Sequence, residues 1–223
     1  PERAYPSGVL AAHLLGYVGQ TTKAELDARR SKGYREGDEI GKQGIERSYE
    51  DDLRGVPGSK RLQVNSEGKV LGPPLRETQP QQGRDVYLTI DRDIQATAES
   101  SLAQGLEGAR RLTDRKKKPF VAPAGSVVVL DPRDGSVLAM ASSPTFDPAQ
   151  FVNGIRPEMF RALQDPASSA PLNNRATQGL YAPGSTFKLV TAIAALERGI
   201  VDARTTVLDG GSFRLRNCKG DKC

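Results

Sequence analysis

A long apolar segment near the C-terminal end constrains the fold of this chain more than any other feature. Between Leu189 and Leu196 the one polar side chain is Thr191. The pattern predicts a helix over residues 186–198 that ends at Gly199. A helix that is apolar on nearly every side is stable only inside a protein, and this run is far too short to span a bilayer. The sequence therefore predicts a helix at the centre of a globular domain.

The composition excludes several kinds of functional site. One histidine, His13, and two cysteines, Cys218 and Cys223, are too few for an ordinary zinc site. A Ser-His-Asp triad would need His13, and no strand-turn-helix nucleophile elbow lies near it in the sequence. The net charge of +5 favours nucleic acid, but a chain without Trp and with 6 Tyr and 6 Phe has few platforms for stacking bases. We expect neither a zinc site nor a nucleic-acid partner.

The first part of the chain consists of short elements separated by turns. The spacing of apolar residues predicts helices over residues 23–31 and 45–53. Alternating residues around a turn predict a β-hairpin over residues 61–71. A polar linker rich in Gln, Pro and Gly follows, which predicts a domain boundary near residue 84.

The second part of the chain is predicted to contain longer elements. The segment Val86–Ile90 has the pattern of a strand, and Asp91 or Asp93 can cap the helix that follows. Two apolar strands, 125–130 and 136–141, flank a turn with Pro and Gly, which predicts a hairpin of buried strands. The helix before them has an apolar stripe formed by Ile94, Ala98, Leu102 and Leu106.

Ser185 and Lys188 stand at the entrance of the apolar helix and form a Ser-x-x-Lys motif. Residues three apart share one face of a helix, so we expect the hydroxyl and the ammonium group side by side. Burial against the apolar helix would lower the pKa of Lys188 and allow it to accept the proton of Ser185. Free backbone N–H groups of the first turn favour negative charge, and that of Ser185 can supply half of an oxyanion hole. The motif therefore predicts an acyl-transfer nucleophile that needs no histidine.

A second Ser-x-x-Lys, Ser66–Lys69, shows that the spacing alone does not prove catalysis. It lies in the predicted hairpin turn, where a solvated lysine stays protonated and cannot act as a base. The local sequence around Ser185 and Lys188 thus leaves two interpretations open. They are either a catalytic pair or a helix cap beside a surface lysine.

Several separate blocks of sequence extend the motif into a pattern that covers nearly the whole chain. They are Arg3–Pro6, Ala12-His13, Gly16–Gly19, Gly41–Glu46, Gly125–Pro132, Gly135–Ser142, Phe146–Pro148, Asn174–Ala176 and Gly179–Lys188. In this order they resemble class B penicillin-binding proteins, in which Ser-x-x-Lys is the first catalytic motif. The segment Gly37–Lys42 is more similar to the elongation-type group, penicillin-binding protein 2, than to the division type.

The resemblance implies an α+β fold in two parts. Residues 1–84 would form a pedestal module of the dimerisation type, and residues 85–223 the N-terminal half of a serine transpeptidase domain. In the complete domain of this family, helices surround a five-stranded antiparallel sheet, and the nucleophile lies on a central helix. The resemblance implies no metal and no organic cofactor.

The resemblance also implies a reaction and its partners. Ser185 would attack the D-Ala-D-Ala amide of a peptidoglycan stem peptide with Lys188 as base, and an amine of a neighbouring stem would then take the acyl group. β-Lactams would trap the first stage. A membrane glycan polymerase of the SEDS family is the implied partner of the pedestal. Because Pro1 is no translation start, we expect an anchor or an export signal upstream. The resemblance implies that it is a single-pass anchor in the bacterial cell membrane, with this region outside the cytoplasm.

Two further motifs of the family, Ser-x-Asn and Lys-Thr-Gly, are absent after Ser185. We therefore expect this chain by itself to be inactive or very weak, although the parent protein is an enzyme. Two other functions are weighed against the enzyme. One is a non-catalytic scaffold for the glycan polymerase, and the other is a β-lactam sensor, against which the pedestal sequence argues.

Three other sets of charged or reactive residues lie outside the Ser-x-x-Lys motif. Glu46 and Glu50 are expected on a solvated helix face, because arginines lie close to them in the sequence. The basic run Arg115–Lys118 is interpreted as a solvated loop, with contact to anionic lipid or wall polymer as the alternative. For Cys218 and Cys223, a disulfide loop, two free thiols and pairing with a thiol elsewhere remain open.

Overall fold

The computed structural model describes residues 3–206, 208, 210 and 211, and the chain divides into two compact units between Gly179 and Leu180. The helices are α1 (Ala12–Leu15), α2 (Lys23–Arg29), α3 (Gly44–Ser48), α4 (Glu50–Leu53), α5 (Arg92–Arg110), α6 (Pro157–Gln164), α7 (Arg175–Gln178) and α8 (Lys188–Glu197). The strands are β1 (Val18–Gln20), β2 (Glu39–Gly41), β3 (Ser59–Arg61), β4 (Arg76–Thr78), β5 (Gly125–Leu130) and β6 (Val137–Ser143). Of these elements, only α8 belongs to the C-terminal unit.

The strands pair as three separate antiparallel sheets. β1 pairs with β2, β3 with β4, and β5 with β6. Helices together with small antiparallel sheets confirm the predicted α+β class. Among the described residues, no helix combines the length and the apolar character that crossing a bilayer requires.

The predicted helix near residue 23 is present as α2, and a capping box defines its first turn. The hydroxyl of Thr22 accepts the backbone N–H of Glu25 at 3.3 Å, and the carboxylate of Glu25 accepts the backbone N–H of Thr22 at 2.7 Å. Lys42, just after β2, donates to the same carboxylate oxygen at 2.6 Å. The side chain of Glu25 therefore joins the start of α2 to the end of β2.

This arrangement predicts a pH-dependent contribution of Glu25 to stability. Burial alone raises the pKa of Glu25, but the hydrogen bonds from Lys42 and Thr22 outweigh it and lower the pKa from 4.5 to about 2. The stabilisation is therefore fully present above pH 4.5 and is lost as the pH falls from 4.5 to about 2. Because the side chain is 35% exposed, solvent screening keeps the effect small.

The measurement is the free energy of unfolding of the wild type and the Glu25→Gln variant across this pH range. We expect the difference between them to shrink as the pH falls. The exposed Glu36, changed to Gln, serves as the matched control and should show no such trend. A pH-independent difference for Glu25→Gln would contradict the prediction.

Residues 45–53 form the two short helices α3 and α4 instead of the single helix predicted. Tyr49 between them has φ −115° and ψ 23°, values outside the helical region. The break rotates the following turn, so the stripe of Ile45, Tyr49 and Leu53 does not form one buried face. Tyr49 is 42% exposed as a result.

Glu46 and Glu50 are buried, and the expectation that they face solvent is wrong. Glu50 accepts hydrogen bonds from the hydroxyl of Tyr34 at 2.8 Å and from the backbone N–H of Gly41 at 2.7 Å. Burial, with the bond to Glu50, raises the pKa of Tyr34 to about 12. Glu46 pairs with Arg3 at 2.7 Å, and burial raises its pKa although Arg3 acts in the opposite direction. Each buried carboxylate therefore has the polar partner that an interior position requires.

The predicted strand over residues 86–90 is not formed. Thr89 contacts the outer edge of β6 through its hydroxyl, which donates to the carbonyl of Val137 at 2.7 Å. Backbone pairing is limited to the N–H of Asp91, which lies 2.9 Å from the carbonyl of Leu138. A β-ladder forms when the backbone N–H and C=O groups of two strands pair in succession. Here the hydroxyl of Thr89, and not a backbone N–H, bonds to the carbonyl of Val137.

Asp91 caps α5 as the sequence predicts, because its carboxylate accepts two N–H groups of the first turn at 2.9 Å each. Ala98 and Leu102 of the predicted stripe pack against the β5–β6 hairpin, but the stripe does not extend to Ile94. Gln95 is 1% exposed whereas Ile94 is 36% exposed. Ala98 belongs to both the predicted and the observed face. The amide of Gln95 is buried because it bonds to the backbone of β6.

The predicted hairpin is present as β5 and β6, but only one of its faces is buried. Asp131 and Asp134 lie in its turn as expected, and each accepts the backbone N–H two residues ahead at 2.9 Å. One face of the hairpin packs on α5. On the other face Val128 is 44% and Leu130 54% exposed, so the prediction of buried strands is wrong for that face.

An aromatic core joins the first part of the chain to the second within the N-terminal unit. Tyr17 stacks on Phe151 with ring centroids 3.8 Å apart, and His13 meets Phe146 edge to face at 5.1 Å. His13 is buried, and its Nε2 lies 2.7 Å from the carbonyl oxygen of Pro171. Burial lowers the pKa of His13, and the bond to Pro171 opposes this. His13 is thus a residue of the aromatic core.

Candidate active site

Ser185 and Lys188 lie at the junction between a short 3₁₀ turn and α8. The turn comprises Gly184–Phe187, and Lys188 begins the α-helix. A 3₁₀ turn has about three residues per turn, so residues i and i+3 lie on the same side. The backbone N–H of Lys188 donates to the carbonyl of Ser185, which closes the turn. The sequence placed this pair at a helix entrance, and the structure has it there.

The residues before the nucleophile candidate explain why the chain turns at this point. Pro183 has the φ of −67° that suits a turn, and Gly184 follows with a φ of +54°. A Cβ at Gly184 would meet no neighbouring atom, so the glycine is required for its left-handed conformation and not for space. The N–H and the hydroxyl of Thr186 both donate to the carbonyl of Pro183. These contacts within the segment stabilise the turn.

The prediction that α8 is buried is wrong for this structure. Leu189 is 72% exposed, Val190 55% and Ile193 56%. Burial needs neighbouring elements, and the described residues of the C-terminal unit provide none that cover these side chains. Ser185 and Lys188 are exposed as well, whereas the sequence predicted that Lys188 lies against buried apolar residues. The catalytic assignment of the pair stays a prediction.

A hydrogen-bonded cluster holds the chain shortly before the motif. Ser142 of β6 accepts the backbone N–H of Arg175 at 3.1 Å and donates to the carbonyl of Asn173 at 3.3 Å. Asn174 caps α7 at 3.1 Å, and its amide donates to the carbonyl of His13 at 3.3 Å. The cluster therefore ties α7 to β6 and to α1. Sequence reasoning missed it, and its one local signal is an Asn at a helix N-cap.

Arg175 shapes the loop that precedes α7. The side chain is buried, and its guanidinium donates to the carbonyls of Asn173 at 3.2 Å, Ala170 at 3.3 Å and Ser169. Ser169 and Ala170 have φ values of 61° and 39°, which non-glycine residues rarely adopt. Three carbonyl oxygens directed at one guanidinium offset the strain of this loop. Arg175 thus fixes the start of the segment that leads to Ser185.

The second Ser-x-x-Lys match lies in an exposed turn, as predicted. The carboxamide oxygen of Asn65 accepts the backbone N–H of Glu67 at 3.0 Å and of Lys69 at 2.8 Å. Ser66 and Lys69 are exposed. This turn begins no helix and its residues are exposed, so Ser66 lacks the helix N-terminus and the burial proposed to activate Ser185.

Comparison with known families decides the class of the chain. A model described as the penicillin-binding protein dimerisation domain matches residues 1–88, and one described as the penicillin-binding protein transpeptidase domain matches residues 125–215. The chain belongs to the penicillin-binding protein family. Its Ser185-x-x-Lys188 motif lies inside the region matched by the transpeptidase model. In the described part of the chain, no group of three or more His, Cys, Asp or Glu is placed to hold a metal ion.

Individual relatives support the family at the level of the whole chain. The chain is 40% identical to the peptidoglycan D,D-transpeptidase MrdA of Escherichia coli K12 over 218 residues, or 96% of this chain and 31% of that protein. It is 39% identical to a chain of a solved peptidoglycan synthase complex, with a TM-score of 0.74, covering 96% of this chain and 37% of the other.

A third relative identifies the group within the family. Penicillin-binding protein 2 of Helicobacter pylori, solved in complex with MreC, is 30% identical with a TM-score of 0.66, covering 92% of this chain and 34% of that one. This similarity confirms the predicted resemblance to penicillin-binding protein 2. The chain spans about a third of the length of the curated relatives that it matches.

Proposed function

We propose that this chain is the pedestal and the N-terminal half of the transpeptidase domain of a peptidoglycan D,D-transpeptidase, with Ser185 as nucleophile and Lys188 as base. The observation that carries the proposal is the Ser-x-x-Lys motif at a helix entrance within the transpeptidase match. The D,D-transpeptidase name of a relative that is 40% identical supports it. The boundary between the two domains near residue 84 is part of the proposal.

The reaction follows from the chemistry of the two side chains. The Oγ of Ser185 attacks the carbonyl carbon of the penultimate D-Ala of a stem peptide, and Lys188 accepts the hydroxyl proton. The backbone N–H of Ser185 stabilises the oxyanion. The C–N bond then breaks, and the terminal D-Ala leaves as an amine that takes up the proton. An amine of a neighbouring stem attacks the ester, forms the cross-linking amide and restores the Ser185 hydroxyl.

β-Lactams enter the same reaction at its first step. Their strained amide acylates Ser185, but the leaving amine stays attached to the acyl group, so an attacking stem peptide is kept out. Labelling by a fluorescent penicillin is therefore a direct test of the nucleophile. No step of the proposed reaction requires a metal ion or an organic cofactor.

We propose that the 223-residue chain by itself is not acylated at a useful rate. Neither Ser-x-Asn nor Lys-Thr-Gly follows Ser185 in this sequence, and both groups contribute to the site of the family. Leu189, Val190 and Ile193 of α8 are also exposed, so this chain does not provide the apolar surroundings in which Lys188 is proposed to act. We expect no labelling of this chain by a fluorescent penicillin at concentrations that label the full-length protein. Rapid, stoichiometric labelling of the 223-residue chain would contradict this.

We propose that the pedestal serves as the docking surface for a membrane glycan polymerase of the SEDS family. A similar chain occurs in a peptidoglycan synthase complex, and a similar penicillin-binding protein 2 occurs in complex with MreC. The parent protein would be held in the bacterial cell membrane by a single-pass anchor outside this chain, with the described region outside the cytoplasm. Co-purification of the polymerase with full-length protein, lost on deletion of the pedestal, tests the partner.

A further inference from the structure

A compact loop with four consecutive basic residues projects after α5. The chain returns on itself there, since the backbone N–H of Phe120 lies 3.1 Å from the carbonyl of Leu112, and Thr113 pairs with Pro119. The N–H of Asp114 bonds to the carbonyl of Lys118 at 2.8 Å. The tip of this hairpin is Arg115–Lys118, which we call the basic tip.

The one acidic residue at the tip is engaged with the backbone. Asp114 Oδ1 accepts the N–H groups of Lys116 at 2.8 Å and Lys118 at 2.9 Å. Lys117 adopts a φ of 61°, which completes the tight turn. The carboxylate of Asp114 therefore builds the turn and forms no ion pair with the basic tip. The four side chains of the tip are all exposed. Among the described residues, none of the four side chains has a salt-bridge partner within 4 Å.

Apolar side chains flank the basic tip on both sides and are also exposed. Leu112 is 61% exposed, Phe120 48% and Val121 73%. Leu112 and Phe120 are joined through their backbones and Val121 follows directly, so the three form one apolar patch, whereas singly scattered apolar side chains are ordinary on a protein surface. Cations next to exposed aromatic and aliphatic groups are the combination that suits the interface of an anionic bilayer, where charges contact headgroups and apolar groups enter the acyl boundary.

We propose that the basic tip, with Leu112, Phe120 and Val121, binds the surface of a bilayer that contains anionic phospholipid. An anionic polymer would pair with the cations but would leave the three apolar side chains in water, so the bilayer is the occupant that accounts for both features. The proposal is independent of the catalytic assignment of Ser185, because the tip contains no residue of the candidate active site.

The test is co-sedimentation of the 223-residue chain with vesicles at low salt. Vesicles of phosphatidylcholine with phosphatidylglycerol are compared with vesicles of phosphatidylcholine alone. We expect binding to the anionic vesicles only, weakened by added salt. The triple variant K116Q/K117Q/K118Q should lower the partition coefficient at least ~10-fold. Phe120→Ser should weaken binding while leaving its salt dependence in place.

A matched control removes the same charge from scattered exposed positions outside the tip. The variant K23Q/R35Q/R47Q loses three exposed cations and should bind anionic vesicles nearly as well as the wild type. Circular dichroism verifies that each variant is folded. Each of three results would overturn the proposal. They are equal losses of binding in both triple variants, no preference of the wild type for anionic vesicles, and retention only by isolated peptidoglycan.

Discussion

Replacement of Ser185 by alanine in the full-length protein is expected to abolish covalent labelling by fluorescent penicillin. Alanine has no group that can form the acyl ester, so the loss should be complete for labelling and at least ~10³-fold for cross-linking of stem peptides. Lys188→Arg should have a similar effect, because an arginine keeps the positive charge but does not give up its proton. The measurement is gel fluorescence after labelling, together with analysis of cross-linked muropeptides.

The chain provides its own control for this experiment. Ser66 belongs to a Ser-x-x-Lys of the same spacing, in an exposed turn held by Asn65. Ser66→Ala should leave both labelling and cross-linking unchanged. If cross-linking persisted at the wild-type level in Ser185→Ala, the enzymatic proposal would fail and the scaffold function would be favoured.

Replacement of Gln95 by leucine is expected to destabilise the chain by about 3 kcal/mol, because two backbone groups would lose their partners. The amide of Gln95 donates to the carbonyl of Met140 at 3.0 Å and accepts the N–H of Met140 at 2.7 Å. Its side chain thereby acts as a peptide group at the free edge of β6. It also donates to Glu99 at 2.7 Å, and Glu99 accepts the N–H of Ala11 at 2.8 Å.

The control is the same change at an exposed position of the same helix. Gln104 lies on the solvent side of α5, and Gln104→Leu should alter the free energy of unfolding by less than about 0.5 kcal/mol. Chemical denaturation followed by circular dichroism measures both variants. Similar values for the two substitutions would show that the bonds between Gln95 and β6 carry little of the stability.

Features that depend on neighbouring residues in the sequence were predicted well. The cap of α5 by Asp91 needs only a carboxylate two and three residues before the N–H groups that it accepts. The hairpin of β5 and β6 follows from two apolar segments with Asp131 and Asp134 in the turn between them. The helix entrance at Ser185 likewise lies where the Ser-x-x-Lys motif and the apolar run after it predict it.

Features that depend on distant contacts were predicted wrongly or not at all. Glu46 and Glu50 looked like surface acids because the partners that accompany their burial, Arg3 and Tyr34, are far away in the sequence. The segment 86–90 has the composition of a strand, yet a side chain of Thr89 takes a place that backbone pairing needs. Apart from an Asn at a helix N-cap, no local sequence pattern pointed to the cluster of Ser142, Asn174 and Arg175.

The sequence by itself determined the family, the position of Ser185 and Lys188 at a helix entrance, and most element types, because motif spacing, caps and turns act over a few residues. Only the tertiary structure decided which side chains are buried. Burial of Gln95 in place of Ile94 depends on the free edge of β6, and the exposure of α8 depends on which elements surround it. These are contacts between residues far apart in the chain, and periodicity along the sequence carries no information about them.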